Sequence, residues 1–138
     1  MASMQNKNFA RPDETRKFDK GVVELVNLGG VTFGRATLQP GWRWSTSVKP
    51  LVKTKSCEAA HLQYHVSGRL HVVMDDGSEA QFGPGEVSLL PPGHDAWVLG
   101  DEPAARHEDR IRWQRPRGGA KFLGTTPKRA QQAVTRIS

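Results

Sequence analysis

The chain has a single cysteine, Cys57, so no disulfide can form within it, and nothing argues for an oxidising compartment. No apolar run approaches the roughly 18 residues that a membrane-spanning helix needs. The first twenty residues lack the apolar stretch of a secretion signal. These absences predict a cytoplasmic protein with no membrane segment. Sustained helical periodicity is also missing, which excludes a helical bundle or coiled coil. What remains is 138 residues, enough for one domain that buries a core without a disulfide or a structural metal.

The formal net charge of +6 is unevenly distributed. From Ala104 to Ser138 there are nine Lys/Arg against Glu108 and Asp109, whereas Met1 to Pro103 carries one more acid than base. Any contact with nucleic acid or an acidic partner therefore rests on the C-terminal segment. Residues 1–20 are polar and read as a flexible arm or edge segment. Residues 104–138 have few apolar positions and scattered Gly and Pro, and read as a basic, partly disordered tail with a short helix possible over residues 127–137.

Residues 21–103 have a different texture. Short β-type runs, VVELVNL, VTFGRATL, WRWSTSV, HLQYHV, RLHVVM, EAQF, EVSLL and DAWVLG, alternate with breaks such as Gly29-Gly30, Asp75-Asp76-Gly77-Ser78 and Gly83-Pro84-Gly85. Those breaks supply the Gly, Pro and Asp that tight turns need. Seven or eight short strands at this spacing predict an all-β antiparallel sandwich or barrel.

Two stretches then narrow the fold. Gly85, five residues, and Pro91-Pro92-Gly93 match the second cupin motif (Gly, five residues, Pro-x-Gly, two residues, His) in all but its last position. His61 stands where the first motif places its Glu, and Gly68 follows after six residues. The segment from Val31 to Asp101 thus resembles the cupin superfamily. The resemblance implies a cupin-type β-barrel (a double-stranded β-helix, or jelly roll) with one open-ended pocket.

Projected onto this chain, the four-ligand metal set of that family falls on Lys55, Cys57, His61 and Ala96. Lysine is normally protonated and alanine has no donor. Cys57 and His61 remain, and His94 can substitute because residues 94 and 96 share a strand face. A thiolate with two imidazoles suits Zn²⁺ or Fe²⁺ and leaves a position open for water or substrate. On an unbroken strand Cys57 and His61 would lie ~13 Å apart, so the chain has to bend at Glu58-Ala59-Ala60. Three other readings stay open. Cys57 is a small buried hydrophobe with hydrogen-bonded histidines around it, Glu58 replaces a ligand after a one-residue slip, or Cys57 and His61 form a nucleophile–base pair.

Trp42 and Trp44 share a face if their segment is extended, as do His61, Gln63 and His65 in the next run. Trp42, Trp44, Gln63 and His65 are the expected contacts for a small-molecule ligand, the tryptophans being equally at home as core or at a dimer face. Trp97, of opposite parity to His94, faces outward. A buried His65 needs a partner, with His71 the candidate, and His107 is expected in solvent. Ala104 to Asp109 cannot alternate apolar residues inward. The barrel therefore closes through Arg110–Trp113 or through a partner, and exposed edges predict a homodimer. The sequence points to a metal-dependent, small-molecule-binding cupin. The alternative is a non-catalytic sensor or carrier whose tail contacts nucleic acid or an acidic partner.

Overall fold

The computed structural model describes residues 3–111, with side chains through residue 109. The strands are β1 (Glu14–Phe18), β2 (Gly21–Leu28), β3 (Val31–Leu38), β4 (Ala60–Ser67), β5 (Arg69–Met74), β6 (Glu79–Phe82), β7 (Val87–Leu90), β8 (His94–Leu99) and β9 (Ala104–Ile111). Two helical turns, α1 (Trp44–Ser47) and α2 (Lys49–Val52), join β3 to β4. The strands pair antiparallel in two sheets, ordered β1-β2-β3-β9-β4-β7 and β6-β5-β8. The main core lies between them. Leu38, Leu70, Val72, Leu90 and Val98 reach into it from both sheets, and Trp42 and Trp44 pack at one end. This is the all-β architecture that the alternating runs predict.

The turn chemistry matches the sequence at two glycines. Gly68 links β4 to β5 at φ +70°, and a methyl group there would clash with the Pro103 carbonyl oxygen. Gly93 precedes β8 at φ +93°, and a Cβ there would press on Asp75 Oδ2 at 2.8 Å. Both positions combine positive φ with close approach, which only glycine tolerates.

Three expectations need correction. The run WRWSTSV is not a strand. The amides of Thr46 and Ser47 return to the Arg43 carbonyl, Asp95 Oδ1 accepts the amide of Ser45, and Pro50 opens α2. An apolar alternation over three residues cannot tell a strand from a helical turn with two buried positions.

Of the two readings of residues 1–20, a flexible arm or an edge segment, the second holds over Glu14–Phe18. β1 pairs with β2 from Glu14↔Leu25 to Phe18↔Gly21 as an edge strand, and Phe9 stacks on the His107 ring at 6.0 Å. His107 is therefore half-buried and not solvated. Burial and the neighbouring Arg35 charge lower its pKa.

The barrel also does not stop at Pro103. β9 is a central strand, paired with β3 on one side and β4 on the other. Its inward positions, Arg106 and Glu108, are charged; Glu108 lies 2.7 Å from His61 Nδ1 and 3.6 Å from Arg106 Nη2. A hydropathy pattern cannot register a strand whose inward face is made of paired charges. The barrel therefore runs through Ile111, and the basic segment reduces to residues 112–138. Those residues, with the short helix expected over 127–137 and the nucleic-acid contact, lie outside the described residues.

Candidate functional site

The chain bends where the metal hypothesis requires it. Cys57 lies before β4 and forms an isolated bridge with His94 at the start of β8. Its amide donates to the His94 carbonyl at 2.8 Å, and the Gly93 amide donates to the Cys57 carbonyl at 2.7 Å. Three residues later Ala60 starts β4, which turns His61 back toward the sulfur. Cys57 Sγ and His61 Nε2 are 3.7 Å apart, not the ~13 Å of an unbroken strand. One ligand atom each from Cys57, His61 and His94 falls within 4.8 Å of the others. With metal–sulfur near 2.3 Å and metal–nitrogen near 2.0 Å, tetrahedral donors lie about 3.3–3.6 Å apart. The three residues lie close enough to hold one metal ion.

Both imidazoles are oriented from behind. His94 Nδ1 hydrogen-bonds the Pro91 carbonyl oxygen at 2.8 Å. His61 Nδ1 sits 2.7 Å from Glu108 Oε2, with Glu108 only 1% exposed. An acceptor at Nδ1 puts the ring proton there and leaves Nε2 with a lone pair, as carboxylates and carbonyls behind metal-bound histidines do. Burial alone would raise the Cys57 thiol. Hydrogen bonds and charge from His61 and His94, when those rings are protonated, outweigh that and bring it down to about 6, which favours the thiolate. For His61, burial works to lower the pKa, but the Glu108 charge and the Cys57 contact overcome it and the net shift is upward.

A second layer fixes the backbone of two of the three candidate ligands. Ser56 Oγ donates to Asp75 Oδ2 at 2.9 Å, and the Asp75 amide donates to the Gly93 carbonyl at 2.8 Å. One residue after β5 thus holds both the segment preceding Cys57 and the one preceding His94.

The cluster opens onto a cavity of about 460 Å³, within the range that takes small organic ligands. Trp42 and Trp44 line it, as expected, together with Phe18, Leu38, Val48 and Leu90. Ala96 also lines it. At this position the cupin pattern has its last histidine, and here a methyl group leaves the fourth position facing the cavity. Lys55 is exposed and takes no part. Glu58 reaches the lining as an exposed residue and is not among the clustered donors.

Gln63 and His65 do not line the cavity. They share the His61 face of β4 but lie deeper, where Ser88 on β7 engages both. Gln63 Nε2 donates to Ser88 Oγ at 3.3 Å, and His65 Nε2 meets the same oxygen at 2.8 Å. His65 also stacks on Phe82 at 5.2 Å. Burial, with the Arg106 charge, lowers its pKa to about 4. It is a neutral, satisfied core histidine, and Ser88 is its partner in place of His71. His71 stacks instead on Trp97 at 4.4 Å, on the face away from His94.

The sequence reading missed Glu108 and Arg106, both assigned to a solvated tail. The signal was present in the alternation Arg106-x-Glu108, which follows β8 where a closing strand belongs.

No family model and no curated protein matches the chain. Its likeness is to solved structures. A Cupin 2 conserved barrel domain protein from Salinispora arenicola is 16% identical over 98% of this chain and 99% of its own, with a TM-score of 0.57. A protein of unknown function from Rhizobium leguminosarum is 22% identical over 79% and 97%, also at 0.57. The polyketide cyclase RemF from Streptomyces resistomycificus is 16% identical over 78% of both chains, at 0.53. Two antiparallel sheets, both partial motifs in order and these likenesses agree: the fold of this chain is that of the cupin superfamily.

Proposed function

We propose that this cupin holds a divalent ion, Zn²⁺ or Fe²⁺, on Cys57, His61 and His94 and binds a small organic molecule in the adjoining cavity. The observation that carries the reading is the convergence of three donors whose two imidazoles are each oriented through Nδ1. Three protein ligands with one side open is the pattern of a catalytic rather than a structural site. When bound, the ion supplies Lewis-acid or oxygen-activating chemistry to a ligand at the open position. The chain's own residues do the rest. Glu108 holds the His61 proton on Nδ1, Pro91 does the same for His94, and Trp42 and Trp44 exclude water from the ligand.

A second reading is favoured by one observation, the run Cys57–His61–Glu108. It supplies the orienting acid that a nucleophilic thiolate would need, which the sequence alone did not reveal. Elemental analysis of protein purified without an affinity tag separates the two. About one Zn or Fe per chain, lost in Cys57→Ala and in His61→Ala, supports the metal centre. Metal-free protein whose Cys57 is rapidly alkylated by iodoacetamide supports the nucleophile.

A non-catalytic sensor or carrier is the remaining alternative, with residues 112–138 contacting nucleic acid or an acidic partner. Catalytic turnover of any bound ligand would remove it. We further propose a homodimer in a reducing, cytoplasmic compartment. Tyr64, Val66 and Val87 are exposed around β7, an outer strand of the large sheet, and such edges are usually covered. Light scattering that gives a monomer at high concentration would end the dimer proposal.

A further inference from the structure

Arg106 has more donors than the protein satisfies. It projects inward from β9, opposite Ala36 on β3 and His65 on β4, and lines the cavity with its side chain 12% exposed. Its Nη2 lies 3.6 Å from Glu108 Oε2, beyond normal hydrogen-bond length. That same oxygen is already engaged by His61 at 2.7 Å. Arg106 Nε is buried and has no partner among the described residues. Guanidinium stays charged at any working pH and offers five donors in a planar fork, and a charge in an apolar enclosure needs an anion. Here the Glu108 carboxylate is shared between Arg106 and the His61 ring.

We infer that the cavity selects a small monocarboxylic acid with an apolar body, its carboxylate on the Arg106 fork and its hydrocarbon part against Trp42, Trp44, Phe18 and Leu38. This rests on the reading that the cavity takes a small organic molecule, and not on the ion. A planar carboxylate matches the guanidinium fork bidentately. A phosphate dianion fits less well, because Glu108 and Glu58 both face the same space and would repel its second charge. The shared Glu108 oxygen links Arg106 to His61, so a carboxylate held there lies beside the clustered donors. Lys17 on the cavity lining adds a positive charge that draws anions inward.

Isothermal titration calorimetry on the full chain, in EDTA and again after Zn²⁺ loading, tests this with 3-phenylpropanoate, 3-phenylpropanamide, 3-phenylpropanol and inorganic phosphate. The expected result is that the acid binds at least about tenfold tighter than the amide and alcohol, as a charge-assisted pair should. That preference should appear with or without Zn²⁺ and be lost in Arg106→Gln, while amide affinity stays within about twofold. Arg106→Lys keeps the charge without the fork and covers the case in which Arg106→Gln fails to fold; it should retain only part of the preference. Equal affinity for acid and amide, preference for phosphate, or discrimination that survives in both variants would overturn the inference while leaving a ligand-binding cavity. No heat with any probe would overturn the inference and the small-molecule reading together. Failure of Zn²⁺ to bind, with the acid preference intact in EDTA, would count against the metal centre alone and support this inference.

Discussion

His61 and His65 project from the same face of β4 into opposite halves of one cup, and their surroundings drive them apart. At the open half, His61 meets a carboxylate, a thiol and a cavity, and its pKa rises. At the closed half, His65 meets a serine hydroxyl and a phenyl ring, and its pKa falls to about 4. Residue type, strand and facing direction are shared, so none of them accounts for the difference. The partners across the sheet do. At His61 the Glu108 carboxylate on β9 overcomes burial, whereas at His65 burial and the Arg106 charge prevail and the ring meets only the neutral Ser88 hydroxyl on β7. A histidine on an inward face becomes a functional candidate when its neighbours leave a nitrogen open, and becomes core when they fill it.

The largest effect should come from removing what makes the open half different. Glu108→Gln leaves Arg106 and His61 facing a neutral group in a buried position. It is expected to cost about 3–5 kcal/mol of stability, read by urea unfolding, and to weaken Zn²⁺ binding roughly 10–100-fold, read by competition with a chelator. Unchanged metal affinity would mean that Glu108 does not orient His61.

Next is the closed half. Ser88→Ala removes the shared partner of Gln63 and His65 and should cost about 1–3 kcal/mol with metal content unchanged. Loss of metal would show that the two halves are coupled.

The smallest effect is a pH slope. Between pH 6.5 and about 4 the unfolded chain protonates residue 65 and the folded chain does not. More protons are bound in the unfolded state, so stability falls as pH drops through that window and levels off below it. His65→Gln should remove that contribution from melting curves recorded from pH 7 to pH 4. His61 carries the opposite sign. Its raised folded value gives stability that is complete below pH 6.5 and is lost as pH rises through that value. Metal-free protein separates the two slopes, since wild type and His65→Gln should differ only on the acid side.

Much of the open half was legible in the sequence because it is written locally. Gly68, Gly85 and Gly93 mark turns whose backbone needs them, and their spacing to His61 and His94 carries the cupin pattern. Cys57, His61 and His94 followed from asking which side chains at those positions can donate a lone pair. Glu108 and Arg106 did not follow. They pair across strands distant in sequence, and a hydropathy reading gives an inward Arg or Glu the same weight as one in solvent. Gln63 and His65 were placed on the correct face but assigned to the wrong half. Depth along a strand depends on which neighbour sits opposite, and the Gln63↔Ser88 register is a tertiary fact. The Trp42–Trp44 segment erred in conformation while keeping both rings on the cavity.

Asp75 gives the mouth of the cup an uneven construction. Cys57 and His94 are laced together through their backbones, and the tip of the β5–β6 hairpin grips the residues just before each. His61 is anchored separately, on β4 of the six-stranded sheet between β9 and β7. Two donors are therefore tied to each other and to a hairpin tip, while the third is held by the wall of the large sheet. The placement of Cys57 and His94 thus depends in part on a surface turn that touches neither sulfur nor imidazole.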